Sequence, residues 1–382
     1  MGKPHIAIVN TAHAADDIRM FTRWVRSFAA SGWRVSLIAP LRGTRPELPA
    51  EVEFREIEFF RGYLRRLLNA KRVIPHLDEL KPDLVMFPDP EAFPLLLAFG
   101  RRTGCKVIFD RHENFEQAET LTTGTWLGRL IARTYARYEW SKAPGLDGVI
   151  VVLEEMLDKL NPAANTIVAH NYPTLAVIKQ LAGQPEPGTP SYTCVNLGAV
   201  HVSRGLFEQL ELARVLVNDR GRNDFSLIIG GLFDSGSLPE CEAFVERHAL
   251  ARNVTLQKAR LEHRQVINYY RAAKIGLSPY LNNPKAAITL QNKILEFMGA
   301  GLPVITSPSS ANGRIVSAAG CGELFWADQT EEIADTIEAW MDNPGQAAEL
   351  GKRGQEYLRQ NINWESDFEA VELWLMSILR KK

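Results

Sequence analysis

Apolar, β-rich runs alternate with amphipathic helical patterns along both halves of this chain. A chain with that alternation folds as parallel sheets with helices on both faces. In the first half, strands are expected at HIAIV (5–9), RVSLIA (34–39), DLVMF (83–87), KVIFD (106–110) and GVIVV (148–152), with helices such as 17–31 between them. The pattern restarts with YTCVNLG (192–198), SLIIGG (226–231), NVTL (253–256), KIGLS (274–278) and LPVIT (302–306). Between the halves, LAGQPEPGTPSY (181–192) is rich in Pro and Gly and lacks apolar periodicity, as a linker would. A chain of 382 residues exceeds one typical domain. The expected architecture is α/β: two doubly wound, Rossmann-like domains facing each other across a cleft, covering 1–180 and 193–363. The amphipathic segment 364–382 is expected to cross back to the first domain.

Hydrophobic content of 46% and charged content of 23% suit a soluble globular protein. A net charge of −1, with only a slight basic excess in the first half, excludes a dedicated nucleic-acid binder. Cys105, Cys194, Cys241 and Cys321 are far apart in sequence and read as reduced, buried thiols of a cytoplasmic protein. The sequence enters HIAIV without a signal peptide, and no apolar run is long enough to span a bilayer. The loops after the first strand of each half, NTAHAADDIR and GAVHVSRG, lack the GxGxxG fingerprint, which argues against a nicotinamide dehydrogenase. Asp89 and Glu91 flank Pro90 as turn formers and N-caps do, and no divalent-metal cluster is visible.

The stretch from Ile288 to Ile305, ITLQNKILEFMGAGLPVI, opens a helix with a lysine and no acid in its first turn. Unpaired N–H groups make a helix start partially positive, so Lys293 is disfavoured there by roughly 0.3–1 kcal/mol. A bound phosphate seated against the backbone of Gln291 and Asn292 would reverse that sign. The alternative is a lysine that points into water.

Six segments, taken in order, resemble the retaining GT-B glycosyltransferases of glycosyltransferase family 4. They are DDIRMFTRWVRSFAASGWRVSLIAP, KPDLVMFPDPEAFPLLL, KVIFDRHENF, HNYP, NLGAVHVSRGLFEQL and NKILEFMGAGLPVI. The resemblance implies transfer of a sugar from a nucleotide-sugar donor, held mainly by the C-terminal domain, to an acceptor approaching from the N-terminal one. No cofactor and no catalytic metal are implied. The family's defining glutamate pair is separated by seven residues. Glu296 matches the second, which holds the donor ribose, and a carboxylate suits a vicinal diol because each oxygen accepts one hydroxyl proton. Ile288 stands at the first position, which implies a donor sugar less polar at the contacted carbon, because an aliphatic side chain cannot satisfy a hydroxyl.

Arg204 matches the family's basic residue at the diphosphate, Gly198 would let the backbone approach the phosphates, and Lys293 would share the charge. Leu290, Gln291 and Asn292 complete the donor side, and Arg260 lies in the loop 258–262 that reads the base. In the N-terminal domain His112 matches a histidine near the anomeric carbon, with Glu113 as the nearest carboxylate; capping a turn is its structural alternative. Asp16, Asp17 and Arg19 lie where relatives approach the acceptor, although Asp16 or Asp17 equally suits an N-cap.

Residues 59–72, FFRGYLRRLLNAKR, combine apolar helical spacing with five cations, as an interfacial membrane helix does. A second basic and aromatic stretch, TWLGRLIARTYARYEW, ends at Trp140. Packing of both apolar faces on the sheet is the alternative. Together with the resemblance they imply a glycan or lipid-linked acceptor, with peripheral contact at the inner face of an anionic membrane. Other occupants of such a fold are a sugar-nucleotide epimerase, a phosphorylase and a non-catalytic nucleotide-sugar-binding protein.

Overall fold

The computed structural model describes residues 3–41, 45–59, 63–112, 126–234, 236–283 and 289–381, with no side-chain description at 63–69, 126–129, 131–132 and 310. The chain divides into two compact units, 1–171 with 364–382, and 172–363.

The first unit holds a parallel sheet of β1 (His5–Val9), β2 (Arg34–Pro40), β3 (Val52–Ile57), β4 (Leu84–Phe87), β5 (Lys106–Arg111), β6 (Gly148–Val151) and β7 (Thr166–Val168), in the order β3-β2-β1-β4-β5-β6-β7. Its central strands read as continuous apolar runs because both faces are covered. Ala7 and Val9 of β1 join Leu77, Phe93 and Leu96 on one face. Ile6 and Ile8 join Trp24, Phe28 and Trp364 on the other. The order reverses between β1 and β4, so the loops after these strands diverge and leave a crevice at the carboxyl edge, where doubly wound sheets take ligands.

The helix Trp364–Arg380 belongs to this unit. Trp364 packs edge-on against Trp24 with ring centres 4.5 Å apart, and its Nε1 donates to Ser27 Oγ at 2.8 Å. Glu372 accepts from Ser31 Oγ and Trp33 Nε1, both at 2.6 Å. His170 completes the attachment: its Nδ1 lies 3.0 Å from Asp367 Oδ2 and its Nε2 3.2 Å from Glu154 Oε1. Burial opposes protonation of His170, but the hydrogen bonds and charges of Asp367 and Glu154 outweigh it and raise the pKa to about 9. A folded value above the unfolded one of 6.5 gives a contribution that is complete below about pH 6.5 and lost as pH rises through 9. Relative to the wild type, His170→Gln is therefore expected to lose roughly 1.5–3 kcal/mol at pH 6. Melting both proteins across this window checks it; a gap that stays constant to pH 9.5 would remove the imidazolium from the account.

The second unit repeats the design with β8 (Cys194–Val200), β9 (Leu227–Phe233), β10 (Val254–Gln257), β11 (Ile275–Ser278), β12 (Val304–Thr306) and β13 (Gly322–Leu324), ordered β10-β9-β8-β11-β12-β13 and parallel throughout. Its switch point falls between β8 and β11. The expected linker, 181–192, lies inside this unit, and the first unit ends at Asn171 instead of residue 180. The helix Leu175–Leu181 buries Ile178 and Leu181 against Phe297 and Met298. The Pro- and Gly-rich stretch is a surface loop tied to its own unit, with Glu186 N–H donating to Asn268 Oδ1 at 2.6 Å and Ser191 Oγ to Ala272 O at 2.7 Å. Its composition signalled irregular backbone, which is not the same as a boundary.

All four cysteines are free and buried. Among the described residues no helix is long and apolar enough to cross a membrane. Of the stretch 59–72, expected at a membrane surface, residues 60–62 lie outside the described residues, as do the side chains of 63–69. Beyond them Ala70 and Val73 face the core, while Lys71 and Arg72 are exposed.

Candidate functional site

The second unit concentrates charge at its switch point. Lys293 is the second residue of the helix Asn292–Gly299, which follows β11. Its Nζ donates to Asn196 Oδ1 on β8 at 2.6 Å, and Asn196 Nδ2 in turn donates to Gln209 Oε1 at 2.8 Å. The second bond fixes the amide so that its oxygen faces the lysine. Burial, and then the positive charge of Arg204, lower the Lys293 pKa to about 7, with Glu296 opposing weakly. Gly198 sits beside this ammonium at φ +118°; a Cβ there would stand an ordinary 3.8 Å from Nζ, so backbone conformation and not crowding demands glycine.

Arg204 lies over the Tyr280 ring at 5.6 Å and donates to Ala199 O at 3.2 Å. The Gly205 that follows has φ +73°, and a Cβ there would come within 2.7 Å of Pro279 O, so the turn presenting Arg204 requires glycine. Glu296, one helical turn after Lys293, has its Oε1 3.0 Å from His263 Nε2. That hydrogen bond leads the causes that raise the His263 pKa.

The Lys293 backbone N–H and that of Asn292 have no side-chain cap. Gln291 differs from its expected donor-facing role. Its N–H donates to Asn312 Oδ1 at 3.1 Å, its Oε1 accepts from Ser278 Oγ at 2.7 Å, and its Nε2 reaches Ser278 O and Thr306 Oγ1. A buried amide in this position must satisfy its own donors and acceptors, so Gln291 ties the helix to β11 and β12. Leu290 packs against the core of the unit, while Asn292 and Arg260 are exposed. Ile288 lies outside the described residues.

In the first unit His112 follows β5, with its ring centre 5.0 Å from that of His13. His13 Nδ1 lies 2.6 Å from Asp89 Oδ1, and Asp89 also accepts from Thr11 N–H at 2.5 Å and Ala12 N–H at 2.9 Å. Burial pushes the Asp89 pKa up, yet these hydrogen bonds and the imidazole outweigh it and hold the value at about 2. Asp89 thus anchors the loop after β1 and sets His13 beside His112. Among the described residues, no three His, Cys, Asp or Glu are placed to hold a metal ion.

The acceptor-side trio separates. Asp16 is exposed. Asp17 caps the π-helical turn Ile18–Val25, accepting from Arg19 N–H at 2.9 Å and Met20 N–H at 2.8 Å. Arg19 is turned into the core, a correction to its expected place on the acceptor. It grips Asp110 through two bonds of 2.8 Å and reaches Asn171 Oδ1 at 2.9 Å and Ala169 O at 3.0 Å. Buried at 4% exposure, its guanidinium has to be neutralised from within the unit. Glu113 lies outside the described residues.

Sequence reasoning missed Asn196, His263 and His13. Asn196 carried a signal, as the polar residue in an otherwise apolar strand. His263 and His13 carried none, since their partners Glu296 and Asp89 are far away in the chain.

Two parallel doubly wound units with these switch-point sites define the GT-B class of glycosyltransferase. The family model described as Glycosyltransferase Family 4 matches residues 19–169, and that described as Glycosyl transferases group 1 matches 193–343. The two matches together span most of the chain, which belongs to this glycosyltransferase family. Among solved structures it is similar to a glycosyltransferase from Rickettsia africae (TM-score 0.73, 14% identity, all of both chains covered). It is also similar to sucrose-phosphate synthase from Thermosynechococcus elongatus (TM-score 0.71, 16% identity, 98% of this chain and 99% of that one). A third is HepE from Anabaena in complex with UDP and glucose (TM-score 0.68, 14% identity, 98% and 100% covered). At these identities the likeness concerns the fold. No curated protein matches the sequence.

Proposed function

We propose that this glycosyltransferase moves a sugar from a nucleoside-diphosphate sugar to a glycan or lipid-linked acceptor with retention of configuration and without a catalytic metal. The observation that carries the reading is the placement of Lys293, in the first turn of its helix and beside Gly198, next to Arg204, two cations that a diphosphate would neutralise. In this reading Lys293, Arg204 and the N–H groups of Asn292 and Lys293 receive the diphosphate and stabilise the charge that builds as it leaves. Glu296, held by His263, takes the ribose hydroxyls. The bond from the anomeric carbon to the phosphate oxygen breaks as the acceptor oxygen bonds the same face, and the acceptor's proton passes to the departing phosphate. His112 and His13 orient the acceptor side. Binding of UDP and glucose by HepE supports a nucleotide-sugar donor.

A thermal-shift series with nucleoside diphosphates tests the donor side, because ligands of the folded state raise its melting temperature. Glu296→Ala is expected to weaken the best nucleotide roughly 10- to 100-fold through two lost charge-assisted hydrogen bonds, and His263→Ala to weaken it less. Product NMR reads the anomeric configuration; an inverted linkage would sink the retaining mechanism. Binding with no donor hydrolysis under any condition would favour a non-catalytic protein.

A further inference from the structure

A second cationic site lies in the first unit. The helix Trp126–Lys142 presents Arg133, Ala136, Arg137 and Trp140 at i, i+3, i+4 and i+7, a single stripe. With Arg111 and Lys159 they line a pocket of about 280 Å³. Arg111 is the last residue of β5, and Lys159 ends the short helix Glu154–Lys159 that follows β6. The pocket therefore sits at the carboxyl ends of two adjacent strands, and Arg111 directly precedes His112.

Arginine dominates its lining. The acid in the pocket wall, Glu139, is paired with Arg111 through Nε. Arg111 is only 3% exposed, yet its Nη1 is buried with no hydrogen-bond partner among the described residues. A buried guanidinium N–H without an acceptor is rare in native proteins and destabilises the free state. Arg133 and Arg137 stand exposed on the rim, four residues apart and with no ion pair to a described residue. Three guanidinium groups, one of them paired with the single carboxylate of the wall, form a receptor for a compact, multiply charged anion. Guanidinium forks match phosphate oxygens in pairs. Ala136 leaves the space between the two rim arginines open, and Trp140, 51% exposed, offers an apolar wall beside it.

We propose that this pocket binds a phosphate group, and that the group belongs to the acceptor substrate. The second clause rests on the glycosyltransferase reading; the first does not. Phosphate chemistry could reach the pocket as a free phosphorylated molecule or as a lipid headgroup at a membrane surface, and two arms separate the sources.

Hydrogen-exchange mass spectrometry of the full chain is run with inorganic pyrophosphate, and separately with phosphatidylcholine vesicles with or without phosphatidylglycerol. The comparison protein is Arg133→Ala/Arg137→Ala, two exposed changes that leave the buried Arg111–Glu139 pair intact. Pyrophosphate is expected to protect peptides of 126–142 and 154–159 in the wild type, and the double variant to need at least about tenfold more ligand for the same protection. Protection of these peptides by phosphatidylglycerol vesicles alone, lost in the variant, also supports the site and assigns the phosphate to a lipid. No protection by either probe, or protection unchanged in the variant, overturns the proposal. Nucleotide-induced stabilisation of the second unit is measured on the same samples. Its retention in the double variant separates a failed anion pocket from a failed donor assignment.

Discussion

Lys293→Ala is expected to lower kcat/KM for sugar transfer by roughly 10²- to 10³-fold, the range found when one aimed donor to a developing negative charge is removed. The residue is buried and lies next to Arg204, so in the free protein its proton is held weakly, with a pKa of about 7. A diphosphate stabilises the ammonium, and binding above neutrality therefore takes up a proton. Nucleoside-diphosphate affinity is expected to fall as pH rises past 7 and approach a tenfold loss per unit. The terminal phosphate is already ionised above about pH 6, so the decline reports the protein and not the ligand. Arg204→Ala removes a like charge from beside the lysine; that variant should bind more weakly at pH 6 and have its decline displaced to higher pH. Calorimetric titration across pH 6 to 9 decides the matter. A flat profile in the wild type would separate Lys293 from the phosphates, and identical profiles in the wild type and Arg204→Ala would remove Arg204 from the account.

The largest expected loss of stability comes from the first unit. Asp110 is fully buried and accepts two bonds from Arg19 and one of 2.8 Å from Trp24 Nε1. Burial raises its pKa, but the Arg19 charge and hydrogen bonds outweigh that and keep the carboxyl below its ordinary range. Asp110→Ala would leave the Arg19 cation in the core without its counter-ion, a change that costs about 3–5 kcal/mol. Arg19→Met/Asp110→Leu removes both charges together and should recover much of that loss, because two neutral side chains require no pairing. Urea melts of the three proteins provide the comparison. Arg19→Met alone should alter stability while leaving the acceptor KM unchanged; a KM effect without a stability effect would return Arg19 to the acceptor.

Ten of the thirteen strands among the described residues were legible from continuous apolar runs such as HIAIV and SLIIGG, because in a doubly wound sheet both faces of a central strand are buried. The three that were not are β3, β7 and β13. In β3, VEFREI, at the sheet edge, Glu53, Arg55 and Glu56 interrupt the strand on both faces, which breaks the apolar run. The other two are three residues long and owe their pairing to the neighbouring strand more than to their own composition. The candidate site divided along a similar line. Residues of local motifs, Lys293, Glu296, Arg204 and Gly198, gather at one switch point. Those whose role depends on a distant partner were misread or missed. Arg19 stood in a loop rich in charge, and nothing in that loop announces Asp110. Gln291 stood at a helix start, and nothing there announces the inward pull of Ser278, Thr306 and Asn312.

The first unit is interrupted by the second, and its last helix is synthesised after the whole of residues 172–363. At translation rates of about 5–20 residues per second, that delay is roughly ten to forty seconds. Throughout it, the sheet face that will receive Trp364, Val371 and Leu375 is covered only in part, by Trp24, Phe28 and their neighbours. During biosynthesis the second unit can therefore mature before the first is complete, and the nascent first unit is the part of the molecule most in need of a chaperone.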